Sequence, residues 1–281
     1  MSHIILGIHG LGNKPPKEQH GPDWLKAIHE GLERNCSLTG AQIHFDLIFW
    51  APINYDPLLL NDPEPYRVTP LDQPIKKYRD GWLSLIRAYA SDVPGDMITK
   101  AREWLGVGPL TDLVLSKKLT DLGKYRSDQV NRDTLRGMVK KAIVDNQNKR
   151  ITLIAHSMGS IVAYDALREL GHDNVNIHVD NFITIGSPLG LPMVVTDIHK
   201  EWGTLRTPSL VRRWVNFADP RDPVAFDTHL RNDYDANDQG VRVEDDVILN
   251  NYVDEGQKPN YHKIYGYLRC PEMSDVLRGI L

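Results

Sequence analysis

The chain has 281 residues, a length that suits one α/β domain with an insertion or two small domains. Hydrophobic residues make up 41% and charged residues 25%, which is ordinary for a globular protein. The net charge is −4, so no basic excess points to nucleic acid as a partner. No run of 18 apolar residues occurs, and we therefore expect no transmembrane segment.

The N-terminal residues and the number of cysteines help to predict the cellular compartment of the protein. The first predicted strand begins at His3 or Ile4, which leaves no room for a signal peptide. The two cysteines, Cys36 and Cys270, are too few for a disulfide framework. These features predict a cytoplasmic protein, and export by a route without a cleavable signal is the alternative.

The first 50 residues predict a strand, a loop, a helix and a second strand. Residues 3–10 read as a buried strand that ends at a glycine, and residues 11–17 are rich in Gly and Pro. The next helix is expected to start at Pro22, with an apolar face formed by Trp24, Ile28 and Leu32. Residues 41–50 predict the second strand. The His-Gly-Leu-Gly string at 9–12 is neither GxGxxG nor a P-loop, so no nucleotide cofactor is expected.

Residues 51–126 differ from the rest of the chain in proline content and in hydrophobic periodicity. Residues 52–74 contain six prolines and little periodicity, and short amphipathic helices are predicted after them. Long insertions of this kind are often functional lids. We therefore predict a single domain over 1–281 that carries a helical cap at 51–126, with Trp82 and Trp104 as candidate pocket lining. The alternative is a set of extra helices on the sheet edge without a gating role.

The strongest signal is a serine between a strand and a helix. A regular helix is predicted over 128–146, and the apolar run that starts at Ile151 predicts a buried strand. The strand stops at Ala155-His-Ser-Met-Gly159, and a helical pattern follows at once. A sharp turn of this kind needs small residues two before and two after the serine, as here. The stretch predicts a nucleophile elbow with Ser157 as the nucleophile; a serine that merely caps the helix is the plainer alternative.

Two backbone N–H groups are expected to face a substrate carbonyl oxygen at this turn. The N–H of Met158 lies at the start of the predicted helix, where the dipole favours negative charge. The N–H of Leu11, which follows His-Gly after the first strand, can point at the same oxygen. Leu11 and Met158 are therefore candidate oxyanion-hole donors, although Leu11 is otherwise a plain apolar loop residue.

Further strands are predicted after the elbow, at residues 180–186, 211–218 and 241–249. The first of them ends in a loop at the sheet edge where ligands of open α/β sheets bind. Pro188 and Leu189 in that loop are candidate substrate contacts.

The acidic segment that follows has EF-hand-like spacing at Asp233, Asp235, Asn237 and Glu244. Asp238 replaces the glycine that an EF-hand loop requires, so no metal is expected. The acidic segment 227–256 and the net positive insertion suggest a self-association surface, which leaves a homo-oligomer open.

A serine nucleophile needs a base and an orienting carboxylate. In a doubly wound sheet these residues follow the serine in the order acid, then histidine. Asp222 is the favoured acid because the Pro-Val that follows turns the chain back, and Asp219 is the alternative. His262 is the favoured base, since His229 comes only seven residues after Asp222. His156 adjoins the nucleophile and is expected to point away from it.

These strings, taken in order, resemble those of the α/β-hydrolases, close to the lipase and esterase branch. They are His9-Gly10-Leu11-Gly12, Ala155-His-Ser-Met-Gly159, Ile183-Thr-Ile-Gly-Ser-Pro188, Asp222-Pro-Val, and His262 followed by Ile264-Tyr-Gly-Tyr-Leu268. The resemblance implies an α/β fold with a mostly parallel central sheet flanked by helices. It also implies a Ser157–His262–Asp222 triad, two backbone oxyanion donors, and hydrolysis of carboxylic esters through an acyl-enzyme.

The substrate stays open at this point. A small-molecule or lipid ester fits the resemblance, and no cofactor is required. Thioesterases, acyltransferases, amidases and phospholipases use the same triad. From another class, a binding or interaction protein on a hydrolase scaffold is the rival hypothesis, with the cap as its partner surface.

Overall fold

Six parallel strands form the centre of the fold. A computed structural model of the protein describes residues 2–70, 73, 75–78, 122–173, 177–225 and 227–281. In these residues the strands are β1 (His3–Ile8), β2 (Phe45–Ile48), β3 (Arg150–His156), β4 (Asn181–Ile185), β5 (Trp214–Ala218) and β6 (Val243–Val247). Their order across the sheet is β2-β1-β3-β4-β5-β6. Because all six run in one direction, the loops that follow them meet at the carboxyl edge of the sheet.

Helices cover both faces of this sheet. Their bounds are α1 (Lys17–Cys36), α2 (Ala51–Asn54), α3 (Gln129–Asp145), α4 (Met158–His172), α5 (Pro192–Trp202), α6 (Ile264–Leu268) and α7 (Pro271–Ile280). Apolar residues of α3, α4 and α5 pack in one core, whereas those of α1, α6 and α7 pack in the other. The α/β architecture predicted from the sequence is therefore confirmed.

Strand β1 illustrates why both faces are buried. Ile4, Leu6 and Ile8 pack in the core that contains α3 and α4, whereas Ile5 packs in the core that contains α1. This alternation follows from the two-residue period of a strand, and a parallel sheet with helices on both sides requires apolar residues at every position. A Cβ on Gly7 would lie 2.9 Å from the Trp24 ring, so the absence of a side chain there lets α1 approach the sheet.

The predicted start of the first long helix is wrong. Helix α1 begins at Lys17, and Pro22 lies inside it. Proline lacks the N–H that would donate to the carbonyl of Glu18, which is why proline is more typical of the first turn of a helix than of its interior. The first turn is stabilised instead by the Pro16 carbonyl, which accepts N–H bonds from Gln19 and His20 at 2.9 Å each. The early start adds His20 to the helix.

Only part of the predicted insertion lies in the described residues. Residues 55–70 follow α2 as an irregular stretch, in agreement with their prolines, and residues 122–127 are helical. The predicted helices between them, with Trp82 and Trp104, lie outside the described residues, so the cap stays a prediction. Among the described helices, none combines the length and apolarity needed to cross a bilayer.

Candidate active site

Ser157 occupies a strained turn between β3 and α4. Its backbone has φ 55° and ψ −134°, a conformation that non-glycine residues rarely adopt and that costs about 1–3 kcal/mol. The turn is tightly packed from below. A Cβ on Gly159 would lie 2.6 Å from the carbonyl oxygen of His9 and 2.8 Å from that of Ile8, so only glycine fits. The strand, the turn and the helix thus have the form that the sequence predicts.

The side chains of Ser157, His262 and Asp222 meet at the carboxyl edge of the sheet. The Nε2 atom of His262 lies 2.9 Å from Ser157 Oγ. Its Nδ1 atom lies 2.8 Å from Asp222 Oδ2 and 3.0 Å from Oδ1. Since a carboxylate only accepts hydrogen bonds, the Nδ1 proton is on the Asp222 side, and Nε2 is left to accept the serine proton.

Asp222 is buried, and hydrogen-bond donors surround its carboxylate. Its carboxylate accepts hydrogen bonds from the Val224 N–H at 2.8 Å and the Tyr267 hydroxyl at 2.8 Å, besides His262. Burial alone would raise the pKa of Asp222, but the charge and hydrogen bond of His262 and these two donors outweigh it and lower the pKa. The carboxylate is therefore ionised at neutral pH, as a partner of an imidazolium should be.

Asp219, the alternative acid, is engaged elsewhere. It pairs with Arg221 at 2.8 Å and accepts the Asn250 N–H at 2.6 Å. Burial raises the pKa of Asp219, and the hydrogen bonds and charge of Arg221 oppose that rise. Its backbone N–H donates to the Tyr267 hydroxyl at 3.1 Å, so Asp219 helps to hold the turn that presents Asp222.

Gly186 makes room for the acid and the base. It follows β4 with φ +52°, and a Cβ there would lie 3.0 Å from Asp222 Oδ2 and 3.3 Å from His262 Nδ1. A side chain at this position would also meet the Tyr267 ring at 3.2 Å. The glycine in the Ile183–Pro188 string is thus needed for the approach of three side chains from separate loops.

The loop after β1 crosses directly above the serine. A Cβ on Gly10 would lie 2.5 Å from Ser157 Cβ, so the Gly10 backbone touches the nucleophile. Leu11 follows it in the wall of the same cavity, and Met158 is the first residue of α4. The N–H of a first helical residue has no partner within the helix. Both predicted oxyanion donors therefore lie beside Ser157, and their role stays a prediction.

The cavity at Ser157 has a volume of about 190 Å³, and both apolar and polar side chains line it. Charged and amide side chains contribute much of its wall: Asn13, Lys14, Asp62, Glu64, Asn260 and Lys263. Two predicted substrate contacts are absent from its described lining. Pro188 is buried, and Leu189 packs in the core while its carbonyl accepts from the Tyr234 hydroxyl at 2.9 Å. Their loop turns into the protein before it reaches the cavity.

Three histidines near Ser157 have structural partners. His9 is buried, and its Nε2 accepts the Trp50 N–H at 3.1 Å, so its ring helps to fix the first loop. His156, which was expected to point away from the nucleophile, lines the same cavity, and its Nε2 donates to the His262 carbonyl at 2.9 Å. His20 lines the cavity from α1. His20 Nε2 accepts from the Trp24 indole N–H at 3.2 Å, four residues on in the same helix. Sequence spacing gives no signal for His156, because its partner lies 106 residues away.

Comparison with known protein families matches residues 128–198 to the family described as Lecithin:cholesterol acyltransferase. The matched stretch includes α3, β3, the turn at Ser157, α4 and β4. None of the curated proteins matches the chain. The six-stranded parallel sheet and the match over residues 128–198 support the resemblance to the α/β-hydrolases that the sequence predicts.

Proposed function

We propose that the protein is a serine hydrolase that cleaves a carboxylic ester through an acyl-enzyme. The observation that carries this proposal is the continuous hydrogen-bonded chain from Ser157 Oγ through His262 to Asp222, with heavy-atom distances of 2.9 and 2.8 Å. Such a chain, on a strained turn beside a cavity, is the arrangement that activates a serine hydroxyl. The match to a family of acyltransferases supports acyl transfer as the chemistry.

In the first half of the reaction Ser157 Oγ attacks the ester carbonyl carbon. His262 Nε2 takes the hydroxyl proton as the new C–O bond forms, and Asp222 stabilises the imidazolium that results. The N–H groups of Leu11 and Met158 donate to the oxyanion. The ester C–O bond then breaks, His262 returns the proton to the leaving alcohol, and an acyl group stays on Ser157.

In the second half water repeats the attack on the acyl-enzyme. His262 removes a proton from the water as it adds to the acyl carbon, and the same two N–H groups hold the oxyanion. The bond from the acyl carbon to Ser157 Oγ then breaks, His262 returns the proton to Oγ, and the acid leaves.

Acyl transfer to an alcohol is the second candidate, and the family match favours it specifically. In that reaction an acceptor hydroxyl replaces water in the second half, with no change in the groups that move protons. A phospholipase-type reaction would differ only in the ester cleaved. Added alcohols separate the two candidates: hydrolysis predicts free acid as the main product, whereas a transferase forms new ester at low alcohol concentration.

Turnover of 4-nitrophenyl esters of increasing chain length tests the proposal. We expect Ser157→Ala to lose at least about 10³-fold in kcat, because the remaining groups cannot form the acyl-enzyme. Ser209→Ala, which removes an exposed serine hydroxyl, is the matched control and should retain wild-type turnover. Equal background rates for the wild type and Ser157→Ala would reject the enzyme and favour the binding-protein rival.

A further inference from the structure

The ring of His9 joins two backbone groups at the end of β1. Its Nε2 atom accepts the Trp50 backbone N–H at 3.1 Å, and its Nδ1 atom lies 2.9 Å from the Gly10 carbonyl oxygen. A backbone N–H can only donate, and a carbonyl oxygen can only accept. Both contacts therefore require the same neutral tautomer, in which Nδ1 carries the proton and donates it to the Gly10 carbonyl.

The fold keeps this ring in one place and in one protonation state. His9 is 1% exposed, its ring stacks on the Trp50 indole with centroids 4.6 Å apart, and Trp50 Nε1 donates to the His9 carbonyl at 2.9 Å. Burial, with the charge of Lys14 as a smaller cause, lowers the pKa of His9 well below its usual value. The Gly10 carbonyl is thus held by one fixed N–H donor at neutral pH.

The loop that follows β1 depends on side chains to hold its backbone. Residues 9–12 belong to no helix or strand, and all four of their carbonyl oxygens accept hydrogen bonds from side chains. Trp50 donates to the first, His9 to the second, and Lys14 Nζ to the last two, at 2.5 and 3.2 Å. The path of this loop is therefore set by three side chains.

The peptide between Gly10 and Leu11 has the greatest need of such an anchor. A Cβ on Gly10 would lie 2.5 Å from Ser157 Cβ and 3.1 Å from its Oγ, so only glycine lets the loop cross the nucleophile. Glycine also gives the adjoining peptide the widest freedom to rotate. The hydrogen bond from His9 Nδ1 removes that freedom, because it holds the carbonyl of this peptide.

Fixing the Gly10 carbonyl also fixes the N–H of Leu11. The two groups belong to one planar trans peptide and point in opposite directions. The N–H is therefore directed away from the His9 ring, and among the described residues no group accepts a hydrogen bond from it. A flip of this peptide would exchange the two groups, and a carbonyl oxygen beside Ser157 would repel a developing oxyanion instead of donating to it.

We propose that His9 is a positioning residue for acyl transfer at Ser157, because its Nδ1–H holds the peptide that directs the Leu11 N–H at the oxyanion. The proposal rests on the proposed function, in which Leu11 and Met158 donate to that oxyanion. His9 acts through the backbone, on a hydrogen bond that forms in the transition state. Its loss should therefore lower kcat and leave KM unchanged.

Steady-state kinetics of His9→Gln with 4-nitrophenyl butyrate test the proposal. The Gln amide can reach the position of Nε2 and accept the Trp50 N–H, whereas nothing replaces the donor to Gly10. We expect kcat to fall about 10- to 100-fold with KM within about threefold, somewhat less than the loss of a whole oxyanion donor. The Ki of an alkyl trifluoromethyl ketone, which forms a tetrahedral oxyanion with a catalytic serine, should rise at least about tenfold.

His9→Asn is the matched variant. The Asn amide can take the position of Nδ1 and donate to the Gly10 carbonyl, whereas the acceptor for the Trp50 N–H and the stacked ring are lost. We expect kcat and Ki per folded molecule to stay within about threefold of the wild type, although His9→Asn should lose more stability to urea. A kcat as low in His9→Asn as in His9→Gln, or an unchanged Ki in His9→Gln, would show that His9 serves stability alone and would overturn the proposal.

NMR spectra of the wild type cover the case in which neither variant folds. After Ser157 is labelled with an alkyl phosphonate, the phosphoryl oxygen takes the place of the oxyanion. The Leu11 amide proton should then shift downfield while the His9 Nδ1–H resonance persists in water. A Leu11 amide that does not respond, or an Nδ1–H resonance that disappears on labelling, would count against the proposal.

Failure of the proposed function gives a different result from failure of the role of His9. If Ser157→Ala keeps full ester turnover or Ser157 resists labelling, the proposed function itself is wrong. If turnover depends on Ser157 but kcat and Ki are unchanged in His9→Gln, only the positioning role of His9 is refuted.

Discussion

Two clusters of charged side chains, each built around a buried carboxylate, have opposite designs in this protein. The first joins α3, α4 and α5, where the Arg136 guanidinium lies 2.7 Å from Asp165 and 2.5 Å from Glu201. The Tyr125 hydroxyl donates to Asp165 at 2.7 Å and accepts from Arg136 at 2.8 Å. Each of these four groups bonds to another within the cluster, so the network is closed.

The second cluster, at Ser157, His262 and Asp222, has an open end. Asp222 is held by three donors, but the chain of hydrogen bonds leads outward to a hydroxyl on the wall of a cavity. Buried charge therefore has two uses in this fold. A closed network fixes helices relative to one another, whereas an open one is arranged to move a proton to a ligand. Variants of the open cluster should lose turnover, whereas variants of the closed cluster should lose stability.

The largest expected effect is on turnover, in Asp222→Asn. The Asn amide would donate to His262 Nδ1 and place the ring proton on Nε2, where it can no longer accept from Ser157. We expect kcat for a 4-nitrophenyl ester to fall about 10⁴-fold while the protein stays folded. Asp165→Asn, an equivalent change in the closed cluster, should leave kcat per folded molecule within about threefold. Retention of a tenth of the wild-type kcat by Asp222→Asn would contradict the assignment of the acid.

The next effect is on stability, in Arg136→Met. This change leaves the buried Asp165 carboxylate without its cation, and breaking a buried pair in this way costs about 3–5 kcal/mol. Urea unfolding at neutral pH measures the loss. The double variant Arg136→Met/Asp165→Leu, which removes both charges, should recover part of it. A single variant as stable as the wild type would show that the closed cluster does not hold the three helices.

The smallest effect is the pH dependence of stability, and its sign differs between the clusters. The pKa of Asp222 is lowered in the folded protein, so its contribution to the free energy of unfolding is present above its unfolded value of about 3.9 and is lost as the pH falls. Burial raises the pKa of Asp165, although Arg136 and Tyr125 oppose the rise, so its contribution is lost as the pH rises.

The wild type should therefore lose its stability advantage over Asp222→Asn on acidification and gain relative to Asp165→Asn. Urea titrations of the three proteins at pH 7 and pH 4 measure the difference for Asp165, and a further titration near pH 2.5 measures that for Asp222. Slopes of the same sign would contradict the contrast between the clusters.

The sequence predicts the sheet and the elbow well because their signals are local. Apolar runs define the strands, and the small residues Ala155 and Gly159 around Ser157 predict the turn that the structure has. The start of α1 was misjudged because residues 17–21 lack an apolar pattern, while Pro22 is a strong but ambiguous marker. Local signals therefore fix elements more reliably than their ends.

The rest of the site depends on contacts between distant segments. Both Asp219 and Asp222 follow β5, and their roles differ only through their partners. Arg221 pairs with Asp219, whereas His262 and Tyr267 donate to Asp222. Pro188 and Leu189 were predicted from their place at the sheet edge, but that place does not determine which way a loop turns. The ion pair of Lys263 with Asp62 likewise has no counterpart in spacing, since its members lie 201 residues apart.

Covalent labelling of the wild-type protein with a fluorophosphonate tests the central claim most directly. Mass spectrometry of the intact chain, followed by peptide mapping, locates the adduct. The account predicts one adduct, on Ser157, that is absent from Ser157→Ala and forms at least about 100-fold more slowly in His262→Ala. An unmodified Ser157 after prolonged exposure, or an adduct on another serine at the wild-type rate, would contradict it.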